Sequence, residues 1–436
     1  MSGLLADPPP ACSCLLFLCN APALPCFPMP WNGAILRELC IILWTQHASL
    51  LVLHAELLTM RGDGVGYVRG GALAVAEGGA ILAVGTAEEL RGRFTATSTL
   101  DASGCVVMPG LVDARMRSRD AVQRAAGLSK VAAERSHAAV LAGARLAALE
   151  GLKAGTTLFC DVGSPFLGWA ETYERAGARA CLALELCADG QGGAQHARAQ
   201  LAQAASFARQ YHGAAGRRVL CQLAPAHATA LPDEVLREAD AIAKRLGTSL
   251  HVPLAEGPSH AHEKQQFASQ GRQSAARHRH TGSAVFAAAS SSSDVERLDG
   301  AGVLSPRMLA AHLTHCSVEE AATVAFKCGR MVCVPTSATL RAGRAGPVRE
   351  FRAAGGACGL GTGSAAEGCS HSLWGEARAA ALAAKLSARD GAELPASDAL
   401  RMATVEGARA LGVGAAVGAL DVGMQVRQCA KLHDGV

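Results

Sequence analysis

Three stretches carry residue types that could do chemistry. The first is Val107-Met108-Pro109-Gly110-Leu111-Val112-Asp113-Ala114-Arg115-Met116-Arg117-Ser118. As a strand after a Pro-Gly turn, it sends Val112, Ala114 and Met116 to one face and Asp113, Arg115 and Arg117 to the other. Two like charges on one strand face are costly in a core, so both arginines are expected at a solvated rim. Side by side there, they could hold a carboxylate or phosphate through bidentate hydrogen bonds. The second stretch, Leu250-His251-Val252-Pro253-Leu254-Ala255-Glu256, puts a histidine and a glutamate at a strand end. Alone, His251 reads as a satisfied core or rim histidine, and Glu256 as a solvated loop carboxylate. The third, Leu309 to Ser317, holds His312 and His315. Two further clusters, His260-Ala261-His262 and Arg277-His278-Arg279-His280, fall in a polar loop and read as solvated surface. There is no Gly-x-Ser-x-Gly elbow, phosphate-binding loop or dinucleotide fingerprint.

The elements around these stretches alternate. Residues 50–58 read as a strand, and 72–85 as a hairpin turning at Gly78-Gly79. Val106-Val107-Met108 reads as one more strand, and together these say only antiparallel sheet. Ala139, Ala142, Leu146 and Leu149 recur at spacings of three and four and predict one face of a helix over 136–154. Strand 155–161, a short helix 171–176 and strand 178–186 follow. Then come helix 192–211, strand 219–224, helix 232–246 and strand 248–254. After a Ser-, Gln-, Arg- and His-rich insertion at 257–300, strand 308–315, helix 318–327, strand 330–334 and strand 357–360 resume the pattern. Residues 373–387 and 396–411 read as terminal helices. The β-then-α rhythm implies parallel strands with crossover helices and an α/β fold, a (β/α)8 barrel.

Length and composition bound the function. The 436 residues suffice for one large barrel and a smaller domain. Half the residues are hydrophobic and only 4% aromatic, so the core must be built from Ala, Leu and Val. A net charge of +4 is too small for a nucleic-acid protein. No apolar run reaches the length of a membrane span. The 16 cysteines show no Cys-x-x-Cys pair, which suits free thiols in a reducing, cytoplasmic compartment. Residues 1–48 match no pattern and read as an extension outside the fold.

Pro109-Gly110-Leu111-Val112-Asp113-Ala114-x-Met116-x-Ser118 resembles the first barrel strand of the amidohydrolase superfamily, in its chlorohydrolase and nucleoside or heterocycle deaminase branch. Gly155-Thr156-Thr157, Met402 to Gly412 and Gly418 to Gly423 resemble further signatures of that family. The resemblance implies a TIM-like barrel over 109–412, and a small β-sandwich from 49–108 and 413–436 that is expected to be incomplete, with an exposed edge. It also implies hydrolysis or deamination of C–N or C–Cl bonds in small ring compounds, by water bound to zinc or iron. A homodimer and a small-molecule ligand are further family expectations; nucleic acid and membrane are not.

Residue by residue, the carry-over is uneven. The family's His-x-His falls on Arg115 and Arg117, which have no lone pair to donate. Its next metal histidine falls on Pro253, with His251 a weak substitute two residues earlier. His312 matches a metal histidine, and His315 follows in the same motif. The metal aspartate of Gly-Thr-Asp falls on Gly363, and Asp161 and Glu367 lie too far along the chain to replace it. Glu256 matches the acid–base glutamate, and His227 resembles a substrate-contact histidine. One of five inherited ligand positions survives. The reading is therefore a catalytically impaired family member with no tightly bound metal. The alternative is a pseudoenzyme that binds a small anion through Arg115 and Arg117.

Overall fold

A computed structural model describes residues 45–120, 137–187, 193–257, 293–365 and 370–426. The N-terminal extension up to residue 44, His260 to His262, Arg277 to His280, Glu367 and the last ten residues lie outside the described residues.

Eight consecutive parallel strands build the barrel. They are β6 (Leu111–Arg117), β7 (Thr156–Gly163), β8 (Arg179–Leu186), β9 (Val219–Pro225), β10 (Leu250–Leu254), β11 (Met308–His312), β12 (Arg330–Cys333) and β13 (Ala357–Leu360). Each pairs with the next in sequence order. The two-residue strand β14 (Gly363–Ser364) continues the line of β13 after a break and pairs in parallel with Met116 and Arg117 of β6. The sheet thus curls round until the segment after its last long strand meets its first. Helices such as His137–Lys153, Gly193–Tyr211, Asp233–Leu246 and Val318–Lys327 connect the strands.

Side chains divide between two clusters, as alternation on a barrel requires. Leu158, Cys160, Ala183, Ala224, Leu309, Ala311 and Val332 form the inner one, closed off by Ala408 and Ala410. Phe159, Leu182, Leu184, Val252 and Met331 face the helices in the outer one. The inner residues are small, so the low aromatic content is accommodated there.

Strand β6 departs from strict alternation. Its pairing with β7 shifts between Asp113↔Phe159 and Met116↔Asp161, three residues against two. This bulge puts Val112 and Ala114 in the inner cluster but Met116 in the outer one. The expectation that these three share a face is corrected: one extra residue reverses every side chain beyond it.

The seam beside this bulge is held by Asp113. Its carboxylate accepts the Thr362 N–H (3.1 Å), the Thr362 hydroxyl (2.6 Å) and the Arg115 N–H (3.2 Å). Gly361 makes the approach possible, since a Cβ there would lie 2.5 Å from the Arg115 carbonyl oxygen.

A five-stranded sheet stands apart, with β1 (Gln46–Leu58), β2 (Tyr67–Val75), β3 (Ile81–Thr86), β4 (Phe94–Asp101) and β5 (Val106–Val107). β5 runs parallel to β1, against the purely antiparallel expectation. Part of the β3 edge is met by the returning chain: Ile81 N–H donates to Met424 O (2.8 Å) and Gly423 N–H to Ile81 O (2.8 Å). Helix His137–Lys153 buries Ala144, Ala147 and Ala148 and leaves Leu149 56% exposed, so its buried face is rotated from the expected one.

Candidate active site

The C-terminal ends of β6, β8, β10 and β11 bring together most of the residues singled out by sequence. This is the end at which barrel proteins carry their chemistry.

Arg115 is only 4% exposed. The expected solvated rim position is corrected: beyond the bulge this side chain turns into the barrel. Its Nη1 donates to His251 Nε2 at 3.1 Å. A guanidinium can only donate, so Nε2 carries the lone pair and the ring proton sits on Nδ1. Nδ1 lies 3.6 Å from Cys160 Sγ, and that thiol lies 3.8 Å from Gln222 Oε1. A buried chain of polar contacts thus crosses the barrel from β6 to β10, β7 and β9. Burial and then the neighbouring Arg117 bring the Arg115 pKa down to about 10, so it remains a cation at neutral pH. Burial, reinforced by Arg115 and His312, holds His251 well below the usual histidine range, hence neutral.

Arg117, one turn of the pleat further on, is half-buried. Its Nη2 meets Glu185 Oε1 at 2.6 Å, while Arg119 Nη2 meets Glu185 Oε2 at 2.9 Å. Burial alone would raise the Glu185 pKa; Arg117 and Arg119 outweigh it and hold the carboxyl below its usual range. The paired, open forks expected of Arg115 and Arg117 are therefore engaged inside the protein, one on His251 and the other on Glu185.

Glu256 follows β10 and His312 ends β11, with Leu254 and His312 in register. Glu256 Oε1 lies 3.9 Å from His312 Nε2 and forms an ion pair with Arg341. Burial would raise the Glu256 pKa, but His312, Arg341, Arg115 and Arg117 hold it down to about 2. Burial pushes His312 down to about 4, against the pull of Glu256. Its Nε2 is buried and makes no hydrogen bond among the described residues. His312 and Leu313 both adopt left-handed backbone, φ 72° and 53°. Two adjacent non-glycine residues in that region are strained, a feature that clusters at functional sites.

The remaining candidates are placed as follows. His315 lies on the loop after β11, its N–H donating to Ala255 O at 2.9 Å. His227 lies after β9 with Nδ1 3.0 Å from Thr229 Oγ1. Asp161 is buried under Ser118, Trp169 and Tyr173, facing the outer layer. Pro253 sits mid-strand opposite Ala311, and Gly363 has φ 65°. Among the described residues, no three His, Cys, Asp or Glu side chains converge as a metal-binding group.

Sequence reasoning missed Glu185, Arg119 and Arg341. Glu185 had a usable signal, a carboxylate near the C-terminal end of a barrel strand. Arg341 had none, since it reaches Glu256 from 85 positions along the chain.

The amidohydrolase family's sequence profile matches residues 106–425. A 5-methylthioadenosine/S-adenosylhomocysteine deaminase of Pelotomaculum thermopropionicum is 31% identical over 391 residues, covering 87% of this chain and 83% of that protein. A 5'-deoxyadenosine deaminase of Methanosarcina mazei is 29% identical over 393 residues, covering 87% and 83%. Among solved structures, an adenosine deaminase from Xanthomonas campestris with bound zinc superposes with TM-score 0.72 at 23% identity, covering 87% of this chain and 84% of that one. Atrazine chlorohydrolase from Arthrobacter aurescens, complexed with zinc, gives 0.69 at 20% identity, covering 86% and 85%.

Proposed function

The chain belongs to the amidohydrolase family, and from that premise we propose that it keeps the deaminase-type barrel while its metal-dependent hydrolysis of C–N or C–Cl bonds is lost or strongly impaired. The family reaction needs a divalent ion gripped by imidazoles and a carboxylate. The residues at the mouth do not fit that ion. Guanidinium groups at 115 and 117 offer no lone pair and repel a cation. Proline at 253 and glycine at 363 offer no side-chain donor. The single observation that carries the reading is the Arg115 Nη1 to His251 Nε2 contact of 3.1 Å, which spends the one substitute imidazole lone pair on a protonated arginine.

The relatives act by name on adenosine derivatives, so the ligand proposed for this barrel is a small nucleoside of that kind. Purified protein supplied with zinc, iron or manganese is assayed for ammonia release from 5'-methylthioadenosine and 5'-deoxyadenosine. The reading expects no release above the uncatalysed background. Saturable release that a chelator abolishes contradicts it.

One observation favours a second reading, small-anion binding. Four arginines gather here: Arg115 meets His251, Arg117 and Arg119 meet Glu185, and Arg341 meets Glu256. A salt-sensitive thermal shift with phosphate, lost in Arg117→Ala, supports it. An equal shift in that variant removes it.

A further inference from the structure

Resting on the reading of a metal-free mouth, we propose that the Arg115 guanidinium is the resident cation of this barrel: it takes up the His251 lone pair, so the mouth is organised without an ion. Three observations carry this. The guanidinium is buried at the convergence of β6 and β10, with Nη1 3.1 Å from His251 Nε2. The bulge in β6 is what turns it inward, and Gly361 packs against its backbone at a distance no other residue could keep. The ring it holds is in turn fixed through Nδ1 and Cys160 Sγ to Gln222.

The chemistry follows from the donor inventory. A protonated guanidinium supplies fixed positive charge and directed N–H groups, where a metal supplies positive charge and empty orbitals. The first orients an imidazole and offsets a nearby carboxylate. It coordinates no water and so generates no metal-type hydroxide. Arg115 is thus a positioning residue that carries its charge at neutral pH.

Nitrogen-15 NMR of histidine-labelled protein tests this directly. In the wild-type protein His251 is expected as the Nδ1–H tautomer with a hydrogen-bonded Nε2, unchanged by stoichiometric zinc or by EDTA. In Arg115→Met, which keeps bulk and removes charge, the Nε2 resonance is expected to move to the position of a free lone pair. Arg115→Lys, which keeps a donor cation, is expected to restore part of the shift. Movement of the wild-type His251 signals with zinc overturns the proposal, and so does an unmoved resonance in Arg115→Met. If Arg115→Met does not fold, the zinc and EDTA titrations of the wild type and the Lys variant still decide. A protein free of metal and turnover, whose His251 ignores Arg115→Met, sinks this inference alone; stoichiometric metal or turnover sinks the functional reading beneath it.

Discussion

Arg115 and Asp113 stand two residues apart, and burial acts on both. For Asp113 it raises the carboxyl to about 7, although the Thr362 hydroxyl and N–H and the Arg115 N–H favour the ionised form. The sign of the resulting pH dependence is fixed by linkage. Between about pH 4 and pH 7 the unfolded chain has released this proton and the folded one still holds it, so stability falls as pH rises. The upper size of the effect is on the order of 4 kcal/mol, at about 1.4 kcal/mol per unit. Asp113→Asn keeps an acceptor for the Thr362 N–H and cannot ionise. Urea midpoints at a series of pH values are expected to show a shallower decline for the Asp113→Asn variant than for the wild type over that window. Parallel curves would show that Asp113 is ionised throughout.

Gly363 shows at the same scale why the ligand that the family resemblance implies there is not simply introduced. A Cβ at this position would lie 2.7 Å from Val334 Cγ1, and φ is 65°. Gly363→Asp is therefore expected to destabilise by about 1–3 kcal/mol, as overpacking does, with no gain in zinc affinity. Thermal melts with and without zinc check both halves. A stabilised, zinc-responsive variant would contradict them.

Among the elements, the regular ones were legible in the sequence because their patterns are local. The strand at 357–360 and the helix at 318–327 occupy the expected residues. That helix also carries a capping box, Ser317 accepting from the Glu320 N–H while Glu320 accepts from the Ser317 N–H. Ser317→Ala is expected to cost about 1 kcal/mol, read from the shift in denaturant midpoint at unchanged slope; no shift would mean that the cap is redundant with packing.

Other elements were illegible for stated reasons. β4 is polar and mostly exposed, so no hydrophobic alternation marks it. The helix at 137–153 is so rich in alanine that several faces look equally apolar. The β6 bulge leaves no trace in the spacing of apolar residues, yet it decides whether Arg115 faces water or the interior. The site residues were visible as types at strand ends. Their partnerships were not, since Arg115 and His251 are 136 positions apart and meet only once the barrel closes.

For the whole molecule, the family's barrel and a small sheet are both present, while arginine, proline and glycine stand where the resemblance implies metal ligands. The inner layer of small side chains, the Asp113–Thr362 seam and the returning segment at 423–426 hold that frame through packing and hydrogen bonds. No helix among those residues is long and apolar enough to cross a membrane. On the proposed reading such a frame keeps its fold without the family's chemistry, because packing and catalysis draw on different residues.

Metal content tests the central claim most directly. Protein purified gently from cells grown with added zinc, iron and manganese is analysed by mass spectrometry for bound metal per chain. The account predicts less than about a tenth of an equivalent of any of the three, because a buried guanidinium, a proline and a glycine supply no ligand. Close to one equivalent, retained through dialysis and lost in His312→Ala, would contradict it.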